Sequence, residues 1–188
     1  MSASKLAALA LFGGALASAG CGEPVISTLH TNRGIDTTVA AVRGNRLLAP
    51  GWSFLGPEIH LDVEKSRRRP TGELTFWLHL RYSACACSDY LDLQRTASLV
   101  LRVDGEEVPL SPKYPPYQYG GDLPFGGYFE ENWFEVSPKL LRRIAFAARV
   151  EAIVKGKTQT IRRAFGEANA SIYRRFVEEH AGADDSDR

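Results

Sequence analysis

Two cysteines that lie two positions apart are the first residues in this sequence whose type and spacing could do chemistry. Cys85 and Cys87 stand in a stretch of small residues, 83–88. On a regular strand the two side chains would share a face, with their Cα atoms near the upper limit for a disulfide. Three interpretations stay open: inert structural thiols, a disulfide within a loop, or a two-sulfur chelate for a soft metal such as Cu(I), to which His79 could add a nitrogen. A structural zinc site needs four ligands, and no second cysteine pair exists in the sequence, so we predict no metal and no cofactor.

The least ordinary segment of the sequence, residues 111–128, combines proline, glycine and aromatic residues. It holds four prolines, four glycines and five aromatic residues, namely Tyr114, Tyr117, Tyr119, Phe125 and Tyr128. Because proline has no backbone N–H and paired glycines add backbone freedom, we predict an exposed loop that projects from one end of the domain. Tyrosine on such a loop offers a large contact area at low entropic cost, so these five residues are the candidate contact site. The alternative is that the rings cover one end of the hydrophobic core.

Other residue types that catalyse reactions are present, but their spacing is not typical of an active site. The four histidines are His30, His60, His79 and His180, and they form no H-E-x-x-H pattern. We interpret His60 and His79 as partly exposed residues on the outward faces of strands. The segment 51–56 has one residue too many for the G-x-S-x-G nucleophile elbow. Glu130 and Glu131 would point to opposite faces of a strand, and we predict that they form a solvated carboxylate cluster with Glu135.

Hydrophobic alternation predicts the strands that must position these residues. Apolar residues alternate with polar ones over 59–64 and again over 74–81, which is typical of strands with one face on a core. The dipeptide Asp104-Gly105 lies between two further alternating runs and predicts a type I′ hairpin. Further strands are predicted at 25–30, 128–136, 147–155 and 157–164.

Two helices follow from capping signals near the end of the sequence. Ser137-Pro138 is typical of an N-cap followed by proline at the first helical position, and predicts a short helix. An apolar stripe over 165–176 and a glycine at 182 predict a second helix from about 166 to 180.

These elements together predict a mainly β fold, namely an antiparallel β-sandwich of about 8–9 strands with a short internal helix and a C-terminal helix. We divide the sequence into a signal peptide (1–20), a tether with a first short strand (21–37), a single sandwich domain (38–182) and a charged tail (183–188). Long helices do not alternate with the predicted strands, so we expect no dinucleotide-binding α/β fold.

The composition excludes several broad classes of protein. The 188 residues include 23 basic and 22 acidic side chains, 44% of the residues are hydrophobic, and 24% are charged. These values are typical of a soluble folded domain rather than of a disordered chain. A charge balance of +1 lacks the basic footprint of nucleic-acid binding, so we predict no nucleic-acid partner.

The first residues have the organisation of an export signal. Lys5 precedes an uncharged apolar stretch, 6–17, and small residues at 18–20 lead to Cys21. The stretch is shorter than the roughly 20 residues that a transmembrane helix needs. Ser18-Ala19-Gly20-Cys21 resembles the lipobox of bacterial lipoproteins.

That resemblance implies a lipid on the sulfur of Cys21, with fatty acyl chains such as palmitate, and cleavage that makes this cysteine the mature N-terminus. Gly22, rather than aspartate, follows the cysteine, so the resemblance implies an outer-membrane location. The alternative is an ordinary signal-peptidase site at Ala17-Ser18-Ala19, which would release a soluble protein that begins at Gly20.

The sequence therefore predicts an exported protein that is anchored to the cell-envelope membrane through its N-terminal lipid. We expect a non-catalytic binding or structural module, with an envelope protein or a glycan as partner, because no catalytic signature is recognisable. The alternative function is an envelope hydrolase with an unrecognised active site.

Overall fold

The computed structural model of the chain describes residues 24–27, 32–33, 36–49, 57–69, 71–84, 90–120 and 127–182. Within these residues the chain is mainly β and forms two antiparallel sheets and two helices. The elements in chain order are β1 (Val25–Ser27), β2 (Asn32–Arg33), β3 (Asp36–Arg43), β4 (Arg46–Leu47), β5 (Glu58–Arg68), β6 (Leu74–Ala84), β7 (Leu99–Val103), β8 (Glu106–Leu110), β9 (Tyr117–Gly120), β10 (Tyr128–Val136), α1 (Pro138–Phe146), β11 (Val150–Lys155), β12 (Thr160–Ala164) and α2 (Glu167–His180). The predicted fold class is confirmed.

The larger sheet has the strand order β1-β3-β5-β6-β10-β9, with β2 paired to β3 and β4 paired to β5. The smaller sheet has the order β12-β11-β7-β8. Both sheets and both helices contribute to one hydrophobic core, which includes Leu61, Leu80, Leu101, Val154, Ile144 and Phe176. Because a single core joins the inner faces of two sheets, the arrangement is that of a β-sandwich closed by helices.

The hairpin predicted at Asp104-Gly105 is confirmed by its backbone. Asp104 has a φ of 50° and Gly105 has a φ of 91°, and the turn joins β7 to β8 with Val103 opposite Glu106. Positive φ at both central residues is the requirement of a type I′ turn, which asparagine, aspartate and glycine tolerate best.

The start of α1 follows the predicted capping chemistry, and the start of α2 has a cap that the sequence analysis did not identify. The Ser137 hydroxyl accepts a hydrogen bond from the Leu140 N–H at 3.1 Å, and Pro138 occupies the first helical position. At the start of α2 the side chain of Asn169 accepts from the Gly166 N–H at 2.8 Å. The last carbonyls of α2 are capped by cations from other elements, because Lys65 donates to the His180 carbonyl and Arg142 donates to the Ala181 carbonyl.

The structure corrects several predicted boundaries. The described residues contain twelve strands rather than about 8–9, because short pairings such as β2 and β4 extend the larger sheet. The strand predicted at 59–64 continues to Arg68, so the turn that follows is tighter, and Gly72 with a φ of 73° closes it. The strands predicted at 147–155 and 157–164 are shorter in the structure, where β11 begins at Val150 and β12 begins at Thr160.

Candidate binding face

One face of the larger sheet points away from the core and carries aromatic and charged residues instead of aliphatic ones. On β10, Tyr128, Phe134 and Val136 belong to the core, so the residues that alternate with this inward set, Phe129, Glu131, Trp133 and Glu135, lie on the opposite face. We call that opposite side the outer face. The register places Trp133 opposite His79 and Glu135 opposite Trp77 on this face.

Strand β9 extends the outer face at the edge of the sheet. Tyr117 lies opposite Glu131, and Tyr119 lies opposite Phe129. Gln118 alternates to the inner side, where its amide nitrogen lies 3.2 Å from the carboxylate of Asp92. The edge strand therefore adds two tyrosines to a face that already holds tryptophan and phenylalanine.

The rings on the outer face are in mutual contact in three groups. Tyr119 stacks on Phe129 with ring centroids 5.3 Å apart, and Tyr117 lies 6.4 Å from the same ring. His79 stacks on Trp133 at 4.4 Å with the planes 7° apart. Tyr114 stacks on Trp77 at 6.1 Å with the planes 22° apart. We call these seven residues, Tyr114, Tyr117, Tyr119, Phe129, Trp133, His79 and Trp77, the aromatic strip.

A backbone hydrogen bond positions Tyr114 over the sheet. The Lys113 N–H donates to the Trp133 carbonyl at 2.8 Å, which holds this segment beside β10 ahead of Pro115 and Pro116. Proline restricts the residue before it to extended conformations, so the direction of the chain at Tyr114 is constrained. The ring then lies on Trp77, which is itself only 4% exposed.

The five predicted contact residues differ in how exposed they are and in the face of the sheet on which they lie. Tyr114 and Tyr117 are 51% and 52% exposed, and Tyr119 is partly buried against Phe129. Tyr128 is 5% exposed and faces the core, where it stacks on Tyr90 at 3.9 Å. Phe125 lies outside the described residues, as do Cys21, Cys85, Cys87 and the proposed signal peptide.

The expectation of a loop over 111–128 is wrong for Tyr117–Gly120, which form strand β9. Three of the four prolines that motivated the expectation precede this strand and Pro124 follows it, so the four residues of β9 contain no proline. Within the described residues β9 pairs with β10 on one side only. An edge strand needs only half of its backbone groups for the ladder, so a short, proline-flanked segment can pair there.

Charged residues border the aromatic strip. The ammonium of Lys113 lies 3.1 Å from the Glu135 carboxylate, and the guanidinium of Arg68 lies 3.9 Å from it. His79 Nε2 lies 3.4 Å from Glu131 Oε1, and this contact becomes an ion pair when the imidazole is protonated. The border therefore offers carboxylate acceptors and an ammonium donor beside the rings.

Two predictions about polar residues are wrong. His79 was expected to be partly exposed, and Glu130 was expected to belong to a solvated cluster, but both side chains are buried. His79 is 6% exposed because Trp133 covers its ring. Glu130 is fully buried, and its carboxylate accepts three backbone hydrogen bonds, from the N–H groups of Leu91 (2.7 Å), Asp92 (3.1 Å) and Leu93 (2.8 Å). These bonds account for the burial of the charge and give Glu130 a structural role.

Two further buried carboxylates on the larger sheet are also held by hydrogen bonds. Glu64 is 3% exposed and accepts from the hydroxyls of Thr38 (2.6 Å) and Ser66 (2.8 Å) and from the guanidinium of Arg43 (2.9 Å). Asp62 accepts from the Asn45 N–H at 2.8 Å. These contacts join β3, and the turn that precedes β4, to β5.

Burial shifts the pKa of several groups that do not belong to the aromatic strip, and it lowers that of Arg163 among them. Burial lowers the pKa of His60 below its usual 6.5, although a hydrogen-bonding contact with Glu58 at 3.2 Å opposes the shift. Burial likewise lowers the pKa of His180. The pKa of Tyr173 is raised well above 10 by burial and by the nearby Asp62, and its hydroxyl donates to the Leu61 carbonyl at 3.0 Å.

The sequence analysis did not assign Trp77, Phe129 and Trp133 to the contact site, although large aromatic residues at strand positions that face away from the core are a signal for such a surface. Trp77, Phe129 and Trp133 each alternate with core residues in their strands, in positions where polar residues are usual. Rings at outward positions of two strands would have indicated a shared surface, had the pairing of β6 with β10 been known.

Neither helix in the described part of the chain is long and apolar enough to cross a membrane. Among the same residues, no three His, Cys, Asp or Glu side chains are grouped so that they could hold a metal ion. The chain matches no protein-family model and no curated protein, so the geometry of the outer face is the basis for a functional proposal.

Proposed function

We propose that this protein is an exported, lipid-anchored module of the bacterial envelope that binds a partner without catalysis through its aromatic strip. The observation that carries the proposal is the pair of half-exposed tyrosines, Tyr114 and Tyr117, which rest on other rings of the outer face. Tyrosine presents a large amphipathic area with few rotatable bonds, so an exposed and supported ring is suited to recognition.

The strand order supports the combination of anchor and binding surface. Val25, the first residue of β1, lies four positions after Cys21, so a lipid on that cysteine would hold the β1 side of the sheet close to the bilayer. Strand β9 lies at the other end of the order, five strand spacings away, which corresponds to about 24 Å. A partner could therefore reach the strip without competing with the anchor.

The net charge of the chain without residues 1–20 also supports attachment through a lipid. Removal of residues 1–20 takes away Lys5 and leaves 22 basic and 22 acidic residues, from totals of 23 and 22. A chain with no net charge is not held on an anionic membrane by electrostatics, whereas several acyl chains anchor a protein stably.

The test is capture of envelope material by the full chain in detergent. The unmodified protein is compared with a triple variant, Tyr114→Ser, Tyr117→Ser and Tyr119→Ser, and with a matched control, Phe146→Ser. Phe146 is 54% exposed but lies at the end of α1, away from the strip. Bound protein is measured by mass spectrometry, and bound carbohydrate by sugar analysis after hydrolysis.

We expect one stoichiometric partner that the triple variant loses and the control keeps. Retention of the partner by the triple variant would place the contact surface elsewhere. Turnover of an envelope substrate, together with no retained partner, would reverse the proposal in favour of a hydrolase.

A further inference from the structure

We infer that the ligand of the aromatic strip is a neutral carbohydrate chain built of hexopyranose units; this inference rests on the proposed function and specifies its partner. Three features of the outer face lead to it: the supported rings, the polar groups beside them, and the spacing of the two exposed tyrosines.

The supported rings match the apolar side of a sugar. A pyranose ring presents C–H groups on one face, and these carry a small positive charge that the electron-rich face of an aromatic ring attracts. Tyr114 rests on Trp77, and Tyr117 rests against Phe129, so both platforms exist before a ligand arrives. Preformed platforms reduce the entropic cost of binding, which matters for a ligand that gains little energy per contact.

The polar groups match the hydroxyl rim of a sugar. Glu131 is the cross-strand neighbour of Tyr117, and the Lys113–Glu135 ion pair lies beside the Tyr114–Trp77 stack. Carboxylates accept and ammonium groups donate hydrogen bonds, as hydroxyls require. A ring with polar neighbours on its border therefore satisfies both sides of a pyranose.

The charge balance favours a neutral ligand. Three cations, Arg68, Arg81 and Lys113, lie beside the carboxylates of Glu131 and Glu135 on the outer face, so charges of both signs alternate there rather than forming a patch of one sign. A surface of this kind does not attract a strongly anionic or cationic partner.

The spacing of the exposed rings favours a chain over a single sugar. Tyr117 lies opposite Glu131, and Tyr114 stacks on Trp77, which lies opposite Glu135. These two positions are four residues apart on β10, about 13 Å along the strand, and the tyrosines themselves are three residues apart on an extended, proline-containing segment, about 9–11 Å between Cα atoms. Both distances exceed the width of one sugar ring, so a ligand that contacts both tyrosines must contain more than one unit.

The limited exposed area disfavours a protein as the ligand. A stable protein–protein interface buries about 800 Å² on each partner around a central cluster of large side chains. In the described part of the outer face, Tyr114 and Tyr117 are the two rings that are about half exposed.

The experiment measures binding of soluble sugars to the full chain in a detergent without sugar headgroups. The probes are cellotetraose, maltotetraose and N-acetylchitotetraose, each with its monosaccharide. Binding is followed by tryptophan fluorescence, since Trp77 and Trp133 belong to the strip, and is confirmed by calorimetry. The variants are Tyr114→Ala and Tyr117→Ala, with Phe146→Ala as the matched control.

We expect saturable binding of at least one tetrasaccharide, with the monosaccharide weaker by about tenfold or more. Each tyrosine variant is expected to weaken binding by about tenfold, while the control stays within about twofold of the unmodified protein. Circular dichroism checks that every variant is folded.

Absence of saturable binding to all three tetrasaccharides by the folded protein would overturn the carbohydrate inference. If the envelope capture then returns a protein that the triple tyrosine variant loses, the proposed function stands while the inference fails. If the capture also returns nothing, both fail. Sugar binding that survives both tyrosine substitutions would place the site elsewhere and overturn the inference as well.

Discussion

Glu130 provides the sharpest test of how this fold is held together. Its carboxylate is fully buried and accepts hydrogen bonds from the N–H groups of Leu91, Asp92 and Leu93. The segment that it binds also forms a bridge between Leu93 and Gly156, the residue that directly follows β11 of the smaller sheet. Glu130 therefore connects β10 of the larger sheet to the segment that contacts the smaller one.

The expected cost of Glu130→Ala follows from the three donors left behind. A buried N–H without an acceptor costs about 1–3 kcal/mol, and bonds to a charged group are worth about twice a neutral one. The N–H groups of Leu91 and Leu93 are buried, while that of Asp92 is partly buried and can reach water. We expect a loss of about 3–5 kcal/mol in the free energy of unfolding.

Urea denaturation monitored by tryptophan fluorescence measures this loss. Glu131→Ala is the matched control, because this neighbouring carboxylate lies on the outer face of the same strand, where its Oε1 is 3.4 Å from His79 Nε2. We expect the control to cost about 1 kcal/mol or less. A loss below about 1 kcal/mol for Glu130→Ala would refute the account of this carboxylate.

Three further predictions concern a close backbone contact, the partly buried His60 and the N-terminus. A Cβ at Gly156 would lie 2.0 Å from the Leu91 carbonyl oxygen, so Gly156→Ala should lower the free energy of unfolding by about 2–3 kcal/mol in urea denaturation. Gly182→Ala, where a Cβ would meet open space, should lower it by less than about 0.5 kcal/mol. Equal losses for the two variants would contradict this prediction. Because burial lowers the pKa of His60, the unfolded chain takes up a proton before the folded chain does as the pH falls through 6.5. The free energy of unfolding should therefore fall between about pH 7.5 and pH 5.5, and His60→Asn should make this fall smaller. If the slope of Tm against pH is the same in the variant, the prediction is wrong. Intact mass spectrometry of the membrane fraction should show acyl chains on a polypeptide that begins at Cys21, and a soluble product that begins at Gly20 would favour the signal-peptidase alternative.

Elements with a strong local signal could be predicted from the sequence. Strands β5, β6 and β10 carry a sustained two-residue period, and the Asp104-Gly105 turn depends only on the φ angles that its two residues tolerate. The N-cap at Ser137 is equally local, because its hydroxyl bonds to a backbone group three residues away. Each of these signals is complete within about ten residues of chain.

Strand β3 shows how a local pattern can fail. Thr38 lies opposite Ser66 and bonds to Glu64 on the outer face, whereas Ala40, two residues later, belongs to the core. A register shift between them reverses the faces, so the alternation is interrupted in the middle of the strand. A search for a period of two cannot find a strand whose period changes.

The candidate site could be predicted only in part, for a related reason. Composition indicated Tyr114, Tyr117 and Tyr119, but their supports, Trp77 and Phe129, are brought to them by the strand order β6-β10-β9. The buried role of Glu130 depends on bonds to residues 37–39 positions away. No local pattern encodes such distant partners.

The alternation of β10 implies that stability and binding should be separable on one strand. Its inward residues include Glu130 and Phe134, which are fully buried, while Phe129 and Trp133 belong to the aromatic strip. Substitution of Glu130 should therefore lower the free energy of unfolding, and molecules that remain folded should keep their affinity for ligand. Removal of the Tyr117 ring, which rests on Phe129 from outside, should weaken binding with a smaller loss of stability. If both substitutions changed affinity and stability in the same proportion, the strip would be part of the core rather than a binding surface.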